Sequence, residues 1–321
     1  LCLKAFGPWI DSKASGTTFR EVSGKIVSGL PIPLPPLAEQ YRIVAKVDEL
    51  MALCDQLESA KNEREARRDQ LIAASLHRIG EAQTATTSAA VRFHLDHLPR
   101  FTTRPEHIKQ LRQTILNLAV RGRLVPQDPK DEPAVELLKR KSAKTIEDAP
   151  FPIPDTWAWA HVDEIAESRL GKMLDKAKNK GELRRYLRNV NVRWFDFDLS
   201  NILEMRFEDS ELEEFSLRRG DVLICEGGEP GRSAVWDERE ANIYFQKAIH
   251  RLRFPSGANP HYFVNVLREA ADSRRLATYF TGVGIKHLTG KGLSSCLFPL
   301  PPLAEQHRIV AKVDELMALC D

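Results

Sequence analysis

Residues 33–55 read PLPPLAEQYRIVAKVDELMALCD, and residues 299–321 read PLPPLAEQHRIVAKVDELMALCD. Of these 23 positions 22 are identical, Tyr41 against His307 being the exception, and the offset is 266 residues. Directly upstream the match collapses: Leu1 to Ile32 set against Leu267 to Phe298 gives 6 identities in 32. One block frozen, with its neighbour free to differ, suggests a fixed scaffold carrying two interchangeable modules. The chain starts at Leu1, not Met, and stops at Asp321, the counterpart of Asp55, where the first copy is still in mid-helix. The expectation is a fragment with four parts: the tail of one module (1–33), a helical spacer (34–150), a whole second module (151–298) and the start of a second spacer (299–321).

Outward from the first block, Leu37 to about Ile79 carries one long helical pattern. Pro35 and Pro36 stand just before it, where a missing N–H costs least. Ile43, Val47, Leu50, Cys54 and Leu57 recur in steps of four and three, the spacing of a coiled-coil seam. Leu71, Ile72, Leu76 and Ile79 resume the pattern after a charged middle. Such a helix would be roughly 65 Å long at 1.5 Å per residue and needs a partner for its stripe. The helix begun by the second copy is the expected one. Gly80 to Thr103 reads as a linker, Pro105 opens a second helix that Gly122 ends, and Pro133 to Lys144 is a short helix.

From Asp155 the character changes. Aromatic residues appear (Trp157, Trp159, Trp194, Phe195, Phe197), and short apolar runs are broken by turns. Val222 to Cys225 and Ala248 to Phe254 read as strands, His261 to Ala277 as a helix, and Thr281 to Ser295 as a Gly- and Ser-rich loop. The fold class is α+β with long helices.

The net charge is +2 and the chain has five cysteines, with no CxxC pair. Bulk charge therefore does not announce nucleic acid, and the cysteines read as reduced, packing residues of a cytoplasmic protein. No apolar run approaches the roughly 18 residues of a membrane span. The local signal is Lys172 to Arg193, with Lys172, Lys176, Lys178, Lys180, Arg184, Arg185, Arg188 and Arg193 against Asp175 and Glu182. Asn189 and Asn191 lie inside it. Basic side chains neutralise phosphates, and Arg and Asn make paired hydrogen bonds to guanine and adenine edges. The bland alternative is a solvated charged loop. Glu204 to Glu214 holds six acidic residues, and Phe151 to Phe298 holds 22 basic and 22 acidic residues. Charge segregated along the sequence in this way predicts a positive DNA face and an acidic far side.

Arg232 follows a glycine-rich turn, Gly227 to Gly231. Lys286 and Lys291 belong to a loop whose Thr281, Gly282, Lys286, Thr289, Gly290 and Lys291 have counterparts at Ser15, Gly16, Arg20, Ser23, Gly24 and Lys25. Small residues let backbone approach a phosphate. Catalytic motifs fail on inspection. Gly284 to Lys291 has five residues between its glycines where a phosphate loop has four, and Gly292 where a magnesium-binding Ser or Thr belongs. Asn259-Pro260-His261-Tyr262 resembles the NPxY loop of amino-methyltransferases, but no glycine-rich S-adenosylmethionine loop accompanies it; it reads as a helix start. The nine histidines show no metal-ligand spacing.

LPPLAEQ-x-RIVAKVDELMALCDQLE, LRQTILNLAVRGRLVPQDPKDEPAVELLKR, PDTWAWAHVDEIAE and GDVLICEGGEPGRSAVW together resemble the specificity (S) subunit of type I restriction-modification systems, the HsdS family. The resemblance covers nearly the whole chain. It implies target-recognition domains joined by conserved coiled-coil helices, each domain reading one half of a split double-stranded DNA sequence. It also implies no catalytic site of the chain's own: methyltransferase (M) and restriction (R) subunits are the partners, and they use S-adenosylmethionine, ATP and Mg. Under it, Asp155 to Phe298 is a recognition domain and 1–33 the remnant of another. The expected DNA-binding residues are Lys172, Lys176, Arg184, Arg185, Arg188, Asn189, Asn191, Arg193, Arg232, Lys286 and Lys291. Helices 37–79 and 105–121, with the segment to Pro133, are the expected methyltransferase face. The competing readings are a coiled-coil adaptor without DNA specificity and a methyltransferase or nuclease with its own active site.

Overall fold

A computed structural model describes residues 6–16, 20–81, 97–138, 146, 149–175 and 177–320. The linker expected at 80–103 and the end of the short helix expected at 133–144 fall largely outside these residues. The chain forms two compact units, 1–68 and 69–321. The division lies inside the long helix, whereas the sequence boundaries were expected at 33/34, 150/151 and 298/299.

The first unit holds an antiparallel bridge between Ser15 and Glu21, the short helix α1 (Gly24–Ser28), and most of α2 (Leu37–Glu81). The Gln40 side chain donates to the Pro35 carbonyl at 2.8 Å, covering an acceptor at the helix entrance. The expected seam faces solvent here: Ile43, Leu50, Leu57 and Cys54 are exposed. The packing role expected for Cys54 is therefore corrected.

The second unit contains the far end of α2, whose Ile72, Leu76 and Ile79 are buried with Phe101, Ile115 and Leu118. Helix α3 (Pro105–Val120) ends where expected. Gly122, at φ +68°, turns the chain where a Cβ would lie 2.4 Å from Pro154. Among the described residues nine strands follow: β1 (Ala158–His161), β2 (Glu167–Leu170), β3 (Glu182–Leu187), β4 (Leu203–Phe207), β5 (Val222–Cys225), β6 (Ser233–Val235), β7 (Tyr244–Phe245), β8 (Ile249–Arg253) and β9 (Leu297–Leu300). They form an antiparallel sheet β2-β8-β5-β6, a mixed sheet β4-β3-β7 and a β1-β9 pair.

Strand β5 is buried along its whole length, as an uninterrupted apolar run predicts. Its side chains alternate between two cores. Val222 and Ile224 join the helices, while Leu223 and Cys225 join Tyr186, Phe207, Trp236 and Phe245. Burial pushes the Cys225 thiol up to about 11 and that of Cys296 to about 12, which keeps both protonated and unreactive.

Helix α4 (Pro260–Asp272) starts as expected. The Asn259 side chain accepts from the main-chain N–H of His261 and Tyr262, and Pro260 occupies the first turn. The helix stops at Asp272 rather than near Ala277, because Arg274 adopts a left-handed φ of +63°. The loop expected over 281–295 contains a short helix, α5 (Gly290–Ser294).

The second copy of the repeat forms α6 (Leu303–Ala318), which packs on α3 and α4. Ile309 and Val313 are buried there, each contributing about 1.5–3 kcal/mol relative to exposure. Gln306 repeats the Gln40 contact, donating to Pro301 at 2.9 Å. Its neighbour Glu305 is fully buried and accepts from the Trp157 indole at 2.8 Å and the Gln127 amide at 2.5 Å. Burial raises its carboxyl above the ordinary range, against those two hydrogen bonds. Arg308 forks onto both oxygens of Asp131, one contact at 3.1 Å and the other at 2.5 Å.

Candidate nucleic-acid interface

Three segments far apart in sequence meet at one edge of the second unit. The first is the single 3₁₀ turn Asn189–Asn191 after β3. The second is the β5–β6 turn, Glu226 to Arg232. The third is the loop Thr281 to Leu288. Asn189 Nδ2 donates to the Gly227 carbonyl at 3.2 Å, Arg232 Nη2 donates to the Asn189 carbonyl at 2.8 Å, and Leu288 N donates to the Glu226 carbonyl at 2.8 Å. The β5–β6 turn allows this closeness through Gly231, whose φ is +90° and whose place a Cβ could not share with Leu276, 2.2 Å away.

Acidic and aromatic groups brace the junction. Glu229 accepts from Trp194 Nε1 at 2.8 Å and from Arg232 Nη1 at 2.9 Å. The Arg268 guanidinium lies 4.9 Å from the Trp194 ring centre. Below, buried His250 meets the Leu288 carbonyl through Nε2 at 3.0 Å. With a carbonyl as its partner, Nε2 must be the protonated nitrogen. Burial holds the His250 pKa below the usual imidazole range.

The predicted residues fall into three groups. Asn189, Arg232 and Lys286 lie on the three converging segments, Arg188 and Arg193 flank the first of them in sequence, and Lys291 is exposed in the first turn of α5. Arg193 pairs with Asp198 at 3.0 Å, Arg188 Nη2 donates to the Asn201 carbonyl at 2.9 Å, and Lys286 Nζ donates to the Gly282 carbonyl at 2.8 Å. Arg184 and Arg185 stand on β3 and pair with Glu182 at 2.7 Å and Glu240 at 2.8 Å. Lys172 and Asn191 are interior residues. Lys172 is 8% exposed, ion-paired with Glu211 and 5.0 Å from the Phe207 ring centre. Asn191 accepts from Arg188 N at 2.9 Å and donates to the carbonyls of Asp198 and Asn201 at 2.9 and 3.0 Å. Their hydrogen-bonding groups already serve the fold, which corrects their assignment to a binding surface. Lys176 lies outside the described residues.

The expected acidic far side is also corrected. The acidic stretch from Glu204 and the basic stretch to Arg193 are paired in space, because β3 and β4 are antiparallel neighbours. Arg185 faces Glu204 and Arg184 faces Met205. Opposite charges across strands attract, and Lys172–Glu211 and Arg169–Glu214 extend the same pairing. Segregation along the sequence is thus not kept in the fold at these positions.

Two features were missed in the sequence. The junction of Asn189, Gly227 and Leu288 depends on non-local contacts that no motif marks. The tip of the third segment, Val283 and Ile285, is apolar yet 103% and 73% exposed; the equal spacing of the two loop copies was its available signal. Among the described residues no group of three or more His, Cys, Asp or Glu could hold a metal, and no helix is long and apolar enough to cross a membrane.

The chain has relatives among known proteins. The chain is 31% identical over 323 residues to the EcoAI specificity subunit of Escherichia coli, covering 91% of this chain and 54% of that protein. It is 35% identical over 322 residues to the EcoDI specificity subunit of E. coli, covering 97% of this chain and 60% of that protein. The HsdS subunit of Thermoanaerobacter tengcongensis, a solved structure, aligns with 22% identity over 97% of this chain and 58% of that one, with a TM-score of 0.43. The chain thus spans a little over half the length of these relatives. The family model for the type I restriction modification DNA specificity domain matches residues 1–64 and 154–321, the first block with its upstream loop and nearly all of the second unit's strands and junction. On that match, the chain belongs to the type I restriction-modification DNA specificity family.

Proposed function

We propose that the chain is the DNA-reading component of a type I restriction-modification complex. It directs methyltransferase and restriction subunits to a bipartite double-stranded target. The observation that carries this reading is the junction of three segments that bear Asn189, Arg232 and Lys286 and that Arg188, Arg193 and Lys291 flank in sequence. Cations there supply phosphate contacts that set register, and the edge exposes groups able to meet base edges. Support also comes from the relatives, each named a specificity subunit of a type I restriction enzyme.

In this reading the chain performs no chemistry. S-adenosylmethionine, ATP and Mg belong to the partner subunits, and work on DNA puts the assembly in the cytoplasm. Methylation requires the partner to flip a base, so the reader must hold register while chemistry proceeds elsewhere. The exposed apolar residues of α2, among them Leu50, Met51, Leu53 and Leu57, are the face offered to helical partners. Helix α3 is less available than expected, because Ile115, Leu116, Leu118, Ala119 and Val120 are buried in the core.

The test is selection of duplexes from a random pool by the chain together with its methyltransferase subunits. The reading predicts enrichment of a defined sequence over bulk DNA. A coiled-coil adaptor without DNA specificity would give none.

A further inference from the structure

The main-chain bridge that closes the loop of the third segment occurs twice in this chain. In the second unit, Thr281 and His287 exchange both main-chain hydrogen bonds at 2.9 Å and close a five-residue loop, 282–286. In the first unit, Ser15 and Glu21 exchange the same pair at 3.1 and 2.9 Å. The offset is again 266 residues. The helices that follow keep it too: α1 spans Gly24–Ser28 and α5 spans Gly290–Ser294. The structural repeat thus continues through a region where the sequences share few residues. Inside the loop the frame is kept in kind: Gly16 at φ +128° matches Gly282 at φ +99°, and Arg20 matches Lys286. The tip is not kept: Thr17-Thr18-Phe19 stands against Val283-Gly284-Ile285.

The second frame is stiff. Gly282 cannot be replaced without strain, since a Cβ there would lie 2.2 Å from the Ile285 carbonyl oxygen. Lys286 Nζ closes back on the Gly282 carbonyl at 2.8 Å. Leu288, immediately beyond, is fully buried and held by both β5–β6 and His250. On this anchored base Val283 and Ile285 are offered to solvent, with Lys286 at its foot. An apolar tip held out from a stiff base is shaped to enter a groove, and the one apolar group on a base edge in the major groove is the thymine methyl.

We propose that 282–286 is a specificity-determining finger, in which Val283 and Ile285 contact thymine methyl groups and Lys286 stabilises the loop that presents them. This rests on the DNA-reading function proposed above. A constant frame with a variable tip lets one scaffold present two different readers.

The experiment uses the complex of the chain with its methyltransferase subunits. A target is selected from random duplexes, then each thymine is replaced in turn by deoxyuridine, which lacks the methyl. The wild type should bind roughly tenfold more weakly at one or two positions, the scale of a single mismatched contact. The double variant V283S/I285S should lose preference at those same positions, be indifferent to the uracil, and keep its binding to random DNA. Both side chains are exposed, so folding is unaffected. Unchanged preference in the variant at every position would overturn the finger while leaving DNA reading intact. So would loss of methyltransferase binding with the preference preserved, which would make the tip a protein contact. Absence of any selected sequence for the wild type would overturn the DNA reading and the finger together.

Discussion

The Arg232 guanidinium donates to the main-chain carbonyl of Asn189 at 2.8 Å, joining residues 43 positions apart, and its other arm meets Glu229 at 2.9 Å. Arg232 was a candidate DNA contact by sequence. In the fold it is a brace that ties the turn after β3 to the β5–β6 turn.

R232A should therefore destabilise the second unit by about 1–3 kcal/mol, since it leaves the Asn189 carbonyl and Glu229 without their charged donor. Urea unfolding measures this. A variant of wild-type stability with uniformly weaker DNA binding would show instead that Arg232 is a phosphate contact.

The repeat provides its own control. E305A removes the acceptor of the buried Trp157 indole N–H and of Gln127 and should cost about 1–3 kcal/mol. E39A changes the identical residue in the first block, where it is exposed, and should stay within about 0.5 kcal/mol. Equal losses for the two variants, read by thermal or urea unfolding, would contradict the account of α6.

His250 makes stability depend on pH. Its folded pKa is lowered by burial, so the unfolded state binds more protons as pH falls below the ordinary value of 6.5. Its contribution is complete above that value and is lost as pH falls toward the folded pKa. H250Q should lack this component: the difference in urea midpoint between wild type and variant should narrow or invert from pH 7.5 to 5. A difference constant over that range would show that His250 does not titrate on unfolding.

Among the basic residues, K172A should lower stability by about 1–3 kcal/mol, because Glu211 loses its partner in a mostly buried pair. It should leave the salt dependence of DNA binding unchanged. K291A should do the reverse, lowering affinity for all sequences and reducing the salt slope by about 1. Matched salt titrations of the two variants separate the roles.

Much of the frame was legible in sequence for identifiable reasons. The long helix, the start of α3 at Pro105, strand β5 and the Asn259 cap are local: periodicity, proline placement and a four-residue apolar run decide them. What was not legible is non-local. Lys172 and Arg193 look alike in a run of cations. One is drawn inside by Glu211 and Phe207, while the other stays half-exposed beside Asp198. The acidic stretch from Glu204 seemed a separate face until β3 paired with β4. Identical residues of the repeat also meet different surroundings: Ile43 is exposed and Ile309 buried. A repeat in sequence does not determine what covers each copy.

The central claim is that this chain chooses where DNA is modified. The direct measurement is a genome-wide map of methylated bases in a host expressing the complete system, with this chain intact and with R188A/R193A. The account predicts methylation at one split sequence for the intact chain, and loss or relaxation in one half of it for the variant. An identical map with the variant, or with the chain removed altogether, would contradict it.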